Sequence, residues 1–587
     1  MLISSCGESP LTPLLVEPPQ AARRISLTWQ NPLPQGNNLR SVWGTSGSDV
    51  FAVGDVGTIL HYNGANWSLL DSPTLEDLHA VWGSSGTDVF AVGMSGTVLH
   101  YDGTTWAPMS SETREDLYGV WVESDSLAFA VGRNGTILQY DGLKWKSVTS
   151  GTTNWLRDVW GLSGSDVYAV GWRGTVLRYD GSIWNRMESE TASTLLCVWG
   201  TAPNNILVAG EQSSVRRYNG SAWGSWSTGA ENLNIFGIWG ASESEIMAVV
   251  SARWALRFDG IVWNVTLSGT EEPLYDVWGS SFSDIFAVGR RGTVVHFDGS
   301  NWTAMGNGST DNLRGVWESS SGTAFAVGED GTILKRDGPS WNAEMIGNEY
   351  DLYGVWGTSE SNVLAVGQIA KNLEWKDAIL RFDGSSWSDT TLGLTSSLYG
   401  IWGSSADDIF AVGRRGVIFH HDGASWSLAD SGKATVLRAV WGTASDDVWS
   451  VGSSGTPPKG LILRFNGSAW SPTSSESTRE LFDVWGSSSD DVFVVGENGT
   501  ILHYDGSVLS KMNSGTTATL LSVWGSSADN VFAVCWGGEI LHFDGTEWKR
   551  RTPGTRRNLY AIYGTSDSNI FFVGDRGVVL HYDGVDP

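Results

Sequence analysis

Histidine, cysteine, arginine, tyrosine and tryptophan are the side chains through which this chain could do chemistry, and most of them recur at fixed places. Seven of its nine histidines (His61, His100, His296, His420, His503, His542 and His581) occupy one position of a repeating pattern, with Arg or Lys in most of the other copies. A metal needs several imidazoles converging on one point. A position met once per repeat predicts instead a structural hydrogen bond, to the Asp that recurs near the second strand. Cys6, Cys197 and Cys535 lie far apart and form no CxxC or His-spaced pattern, so neither zinc nor a disulfide framework is implied. The Asp of each Tyr-Asp-Gly step reads as a turn residue. No group calls for a cofactor or a metal. A hydrolase of the sialidase type would need an arginine cluster, a Tyr and Glu nucleophile pair and an acid at one centre, and no such singular constellation stands out from the repetition.

The elements that must position these groups follow from the tryptophans. Thirteen of the 33 fall on a recurring step at Trp43, Trp82, Trp121, Trp160, Trp199, Trp239, Trp278, Trp317, Trp356, Trp402, Trp441, Trp485 and Trp524, with Tyr563 in the fourteenth place and a spacing of 39 in ten of the thirteen intervals. The second copy reads LHAVWGSSGTDVFAVGMSGTVLHYDGTTWAPMS: four short runs rich in Val, Ile, Phe, Tyr and Trp, parted by Gly, Ser and Asp. These predict four strands, a to d, with a tight c-to-d hairpin at Tyr-Asp-Gly. The runs lack a 3.6-residue period and are too short for helices. A solenoid has shorter coils and a sandwich would not repeat fourteen times, so the class is all-β and the architecture a β-propeller of fourteen four-stranded blades. Thirteen further tryptophans, from Trp29 and Trp67 to Trp548, take a strand-d place and pack the blades.

The last copy ends at Gly584 without a strand d, whereas Trp29 precedes Trp43 by 14 residues much as the strand-d Trp67 precedes Trp82 by 15. Residues 25–32 are therefore expected to close the last blade, which would remove an open sheet edge. Two seven-bladed propellers, at 33–309 and 310–587, are favoured over one fourteen-bladed ring, because side chains fill the wedge of a seven-bladed ring and fourteen blades would leave a wide hole. Residues 1–24 read as a disordered tail. Ile3, Ser4, Ser5 and Cys6 look like the end of a lipobox, making Cys6 a lipidation candidate with the proline-containing stretch Gly7–Gln20 as its tether; the alternative is an ordinary exposed thiol.

The VWGSS, DVFAVG, GTILHYDG and Trp pattern resembles that of bacterial secreted repeat proteins described as sialidase-like, kelch-like or WD40-like propellers. The resemblance spans about residues 25 to 587. It implies the fold and an extracytoplasmic place (periplasmic, secreted or on the outer surface) and leaves activity open, since propellers host lectins, scaffolds, lyases and hydrolases alike.

Function is expected where copies differ on one surface. The b-to-c turn carries Arg133, Trp172, Arg173, Arg290, Arg291, Arg414, Arg415, Trp536 and Arg576, and the insertion near Gln368–Asp377 adds Trp375. Arg and Trp dominate binding hot spots, although Asp55, Glu211, Glu329, Asp330 and Glu497 share the same turns, as in a merely solvated loop. The residue after the first strand-a leucine, including Tyr118, Tyr275, Tyr353 and Tyr399, forms a second candidate ring on the same face; its alternative role is packing between inner strands. A formal charge of −27 excludes nucleic acid as a partner. The expectation is a non-catalytic binding or scaffolding module, monomeric and tied to membrane only through a lipid anchor, that takes a protein or glycan, in particular an anionic one. A propeller hydrolase or lyase and a rigid spacer of the cell envelope are the alternatives.

Overall fold

A computed structural model describes residues 23–24, 27–31, 35–229, 232–251, 253–305, 311–338, 340–371, 374–429, 431, 436–474 and 477–584; Cys6 and most of the tail lie outside them. The described residues form fourteen four-stranded antiparallel sheets, one of them extended by a parallel pairing of Arg23–Arg24. Blades are numbered here in chain order. In blade 1 strands a to d are Leu39–Ser46, Asp49–Gly54, Ile59–Tyr62 and Trp67–Leu69. Strand b is apolar almost throughout because strands a and c flank it within the sheet while neighbouring sheets cover both faces. Val50, Phe51, Ala52 and Val53 are each 1% exposed or less.

Strand a carries the feature that aims the candidate residues. The register shifts between Leu39 and Ser41, so Arg40 has no partner in the ladder. The same shift recurs in every blade, for example between Leu117 and Gly119 and between Leu398 and Gly400. A bulge redirects the extra side chain, here the residue after the leucine.

Adjacent blades lock through the Trp-Gly step. A Cβ on Gly83 would lie 2.7 Å from the outer edge of the Trp43 ring, and glycine takes this place in most blades, with Val122 in blade 3. The strand-b phenylalanine meets the next blade's strand-d tryptophan edge-on, as Phe51 meets Trp106 at 6.2 Å. These contacts also join blade 7 to blade 1. Trp278 covers Gly44, the Val42 N–H donates to Asp276 at 2.9 Å, and Phe286 meets Trp67 at 6.2 Å. Blade 14 meets blade 8 in the same way, with Phe571 5.7 Å from Trp341. There Tyr563 replaces the tryptophan and Glu318 the glycine. Thr28–Asn31 forms the outer strand of blade 14, Trp29 standing opposite Leu580.

The repeated histidines are structural. His61 Nε2 lies 2.7 Å from Asp49 Oδ1, and the Thr45 hydroxyl donates to Asp49 Oδ2 at 2.5 Å. His100, His296, His420 and His503 repeat the pairing with Asp88, Asp284, Asp408 and Asp491. The carboxylate stands between hydroxyl and imidazole, so the histidine has no contact through which to activate the hydroxyl.

Candidate binding face

The b-to-c turn and the loop entering strand a are held to the same face by a hydrogen bond within each blade. The N–H of the first turn residue donates to the carbonyl just before strand a: Asp55 to Asn38 and Trp172 to Trp155, both at 2.9 Å, and Trp536 to Thr519 at 3.1 Å. The second turn residue reaches the next blade, since the Val56 N–H donates to Asp77 Oδ1 at 2.9 Å and the Ser95 N–H to Asp116 Oδ1 at 3.0 Å. Equivalent bonds run from Arg291 to Asn38 and from Arg576 to Asn312. The second turn residue lies at positive φ in these turns and in others: 55° for Arg173, 59° for Arg291, 61° for Arg415 and 56° for Arg576.

The turn arginines do not form one uniform basic patch. Arg290 and Arg291 share Glu272, at 3.9 and 2.7 Å. Arg576 lies near both of them, and burial beside these cations lowers its pKa. Arg133 stands 3.8 Å from Asp116 and 5.0 Å above the Trp155 ring. Arg415 donates to the Thr395 carbonyl at 3.2 Å, while the neighbouring Arg414 forms an isolated β-bridge with Val436 of blade 11. Trp375 rides on a long hairpin between Asn362–Lys371 and Glu374–Phe382 and is 47% exposed; Trp536, in blade 13, is 56% exposed. Trp172 lies flat on Trp155, with centroids 4.2 Å apart and planes 18° apart.

The bulged strand-a residues form half-buried chains of rings and guanidinium groups around the mouth. In blades 2 to 4, His79 stacks on Tyr118 at 5.1 Å, Tyr118 on Trp155 at 5.9 Å, and Arg157 sits 4.5 Å from the Tyr118 centroid. Arg40 reaches Tyr275. Tyr353 and Tyr399 lie 5.4 Å apart with Arg438 over the latter, and Arg314 is 3.9 Å from the Tyr560 ring. Packing between inner strands thus accounts for part of this ring.

Below the mouth of blades 1 to 7 lies a cavity of about 150 Å³ lined by the inner strands of all seven. Asp158 and Asp276 are buried in its wall, each accepting two backbone N–H bonds: from Val159 and Val198, and from Val277 and Val42. Burial raises their pKa values to about 7 and about 6, and Asp483, the corresponding residue of blade 12, to about 6. Burial also lifts the thiol of Cys197, which donates weakly to the Ala209 carbonyl and is unreactive there. Among the described residues no group of three or more His, Cys, Asp or Glu is placed to hold a metal, and no helix is long and apolar enough to cross a membrane.

Sequence reasoning missed Trp155, the centre of the aromatic chain. The signal was present: most other copies have a polar residue or proline immediately before strand a.

No protein-family model and no curated protein matches the chain. Among solved structures, PorZ, a surface component of the type-IX secretion system of Porphyromonas gingivalis, is similar over 94% of this chain and 86% of its own, with 12% identity and a TM-score of 0.65. The extracellular domain of the two-component system BT4673 from B. thetaiotaomicron covers 96% of this chain and 82% of its own at 11% identity and a TM-score of 0.40. YCF48 bound to a D1 peptide covers 48% and 99% at 16% identity, also with a TM-score of 0.40. The likeness to PorZ shows a shared fold.

Proposed function

We propose that this chain is an extracytoplasmic, non-catalytic binding module whose fourteen blades work as two seven-bladed rings and which takes a polypeptide partner across the face of b-to-c turns. The observation that carries this reading is the continuous, partly exposed run of Trp172, Trp155, Tyr118 and His79 on that face, beside the exposed Trp375 and Trp536. Rigid aromatic side chains give large contact area at little entropic cost. The opposite face is built from c-to-d turns whose Asp carboxylates are already occupied: Asp102 accepts the N–H groups of Thr104 and Thr105 and the Thr104 hydroxyl. Those carboxylates are committed within the turn, although the same turns expose Leu143, Ile183 and Ile261. The two-ring reading is supported by the contacts of blade 7 with blade 1 and of blade 14 with blade 8, which repeat those between consecutive blades.

The test is a peptide library displayed on phage and panned against the full chain, with bound peptides located by hydrogen exchange. Protection is expected at the b-to-c turns and mouth, and Trp375→Ala with Trp536→Ala is expected to weaken peptides that map to blades 9 and 13. Protection confined to the c-to-d turns would overturn the assignment of the face.

A further inference from the structure

Of the four arginines that follow the strand-a leucine, Arg40, Arg157, Arg314 and Arg438, all but Arg157 bind a carboxylate among the described residues. Where the residue after the strand-a leucine is Arg or Tyr, the first residue of the same blade's b-to-c turn, fifteen positions later, is an acid in several copies and binds it. Arg40 pairs with Asp55 at 2.8 Å, Arg314 with Glu329, and the Tyr560 hydroxyl with Asp575. Arg438, whose turn has Ser453 instead, takes Glu480 of the adjoining blade at 2.9 Å. In blade 4 the turn residue is Trp172, and among the described residues no carboxylate lies within ion-pair distance of Arg157. The acid whose charge reaches it is Glu211, in the turn of blade 5. Arg157 Nε is buried and has no partner.

Arg157 is nonetheless held. Its Cζ lies 4.5 Å from the Tyr118 ring and 5.5 Å from the Trp155 ring, and the side chain lines the cavity at the mouth. A guanidinium packed against two rings on one side still has N–H groups to give an acceptor, and the acceptor that matches its planar fork is a carboxylate bound through both oxygens. We infer that the mouth at Arg157 is a carboxylate subsite that receives an Asp or Glu side chain of a polypeptide partner, an inference that rests on the binding face proposed above.

Two observations select the class. Arg133, the neighbouring cation, already has Asp116 beside it, so the subsite offers one unshared positive charge and suits a monoanion better than a phosphate dianion. A sugar ring needs an open aromatic face, whereas the faces of Trp155 are taken up by Trp172, Tyr118 and Arg157, and Tyr118 also carries His79. What remains are ring edges, which suit the methylene groups of an acidic side chain and its neighbours.

The test uses the full chain, a random twelve-residue peptide library on phage, and synthetic pairs of each selected peptide that differ only by Glu→Gln or Asp→Asn. Selected peptides should share an acidic residue, and the amide member of each pair should bind at least tenfold more weakly. Arg157→Met should lose the same factor for the acidic member and nothing further for the amide. Because Arg157→Met also removes ring packing, W172E provides a second variant. It restores the turn acid found in blades 1 and 8, so it should occupy Arg157 internally and weaken the acidic member of each pair about tenfold more than the amide, since the lost Trp172–Trp155 stack affects both members alike. Peptides without a shared acid, or equal binding by the parent, Arg157→Met and W172E, would overturn the subsite; if their protection still lay on the turn face, the broader reading would stand. Arg157-dependent binding of oligogalacturonate in place of peptides would overturn the polypeptide assignment.

Discussion

A non-glycine residue at positive φ costs on the order of 1 kcal/mol unless it is Asn or Asp, whose short side chains tolerate that region. The b-to-c turn uses the conformation so that the second N–H can reach the next blade. Asn134 and Asn498 meet it at little cost, but Arg173, Arg291, Arg415 and Arg576 do not. Arginine at these places therefore adds nothing to turn stability through its backbone conformation. Arg415→Asn should raise stability by roughly 0.5–1 kcal/mol, since its one bond to the Thr395 carbonyl is exposed and contributes little. The same replacement at Arg414 should do nothing comparable. Thermal unfolding of the two variants beside the parent decides the point, and a lower melting temperature for Arg415→Asn would count against it.

Blades are joined by large rings placed on glycine, and that contact sets the scale of packing loss. Trp278→Ala empties the space above Gly44 and should cost about 3–5 kcal/mol, as large-to-small changes in a core do. Hydrogen exchange should quicken in blades 7 and 1 and leave blade 8 at parental rates; faster exchange in blade 8 with blade 1 unaffected would contradict the Trp278–Gly44 contact. The buried carboxylates give a second handle on the same strands. Unfolded aspartate ionises near pH 4, whereas Asp158 and Asp276 titrate at about 7 and about 6, so the fold favours their protonated forms. Their contribution is complete below about pH 4 and is lost as pH rises through the folded values. Stability from this source should fall by roughly 1–4 kcal/mol between pH 4 and pH 8 for Asp158. Asp158→Asn should flatten that slope, whatever the replacement does to the absolute value through its lost acceptor. Denaturant melts across this range read the difference, and parallel slopes would show that Asp158 does not titrate there.

Most of the fold at the scale of the whole molecule was legible because each blade repeats its own rules. The Trp spacing, the turn glycines and the period-two runs all fix a four-stranded unit, and the His–Asp bond follows from two residues recurring together. The site was legible only in outline. Turn composition picked out Arg290 and Arg291, but that both lean on Glu272 depends on side chains eighteen and nineteen residues apart meeting across a loop. Arg157 stands out through the acid it lacks, which becomes visible only when Arg40–Asp55 and Arg314–Glu329 are seen as bonded pairs. The substitution of Tyr563 for Trp and Glu318 for Gly was likewise present in the sequence without saying that Glu318 accepts bonds from Thr565 and Asn569 of blade 14.

The outermost strand of blade 14 comes from the opposite end of the chain, so the integrity of that blade depends on residues more than five hundred positions away. Thr28–Asn31 pairs with Val579–Tyr582, Trp29 is 8% exposed, and Gln30 accepts a bond from Trp341 Nε1 at 2.8 Å. Removing residues 1–32 strips the buried tryptophan and the link to blade 8. It also bares the ladder edge of Val579–Tyr582, whose free N–H and C=O groups are a template for pairing with another chain. The shortened protein should melt at a lower temperature and associate with rising concentration, and hydrogen exchange should quicken first in blade 14. Adding back a synthetic peptide covering residues 23–32 should restore part of the melting temperature and suppress association, because it resupplies the missing strand, whereas a peptide with Trp29→Ala should do so poorly. Calorimetry and light scattering on the truncated chain read both effects. An unchanged melting temperature together with a monomeric truncated protein would show that blade 14 holds without its fourth strand.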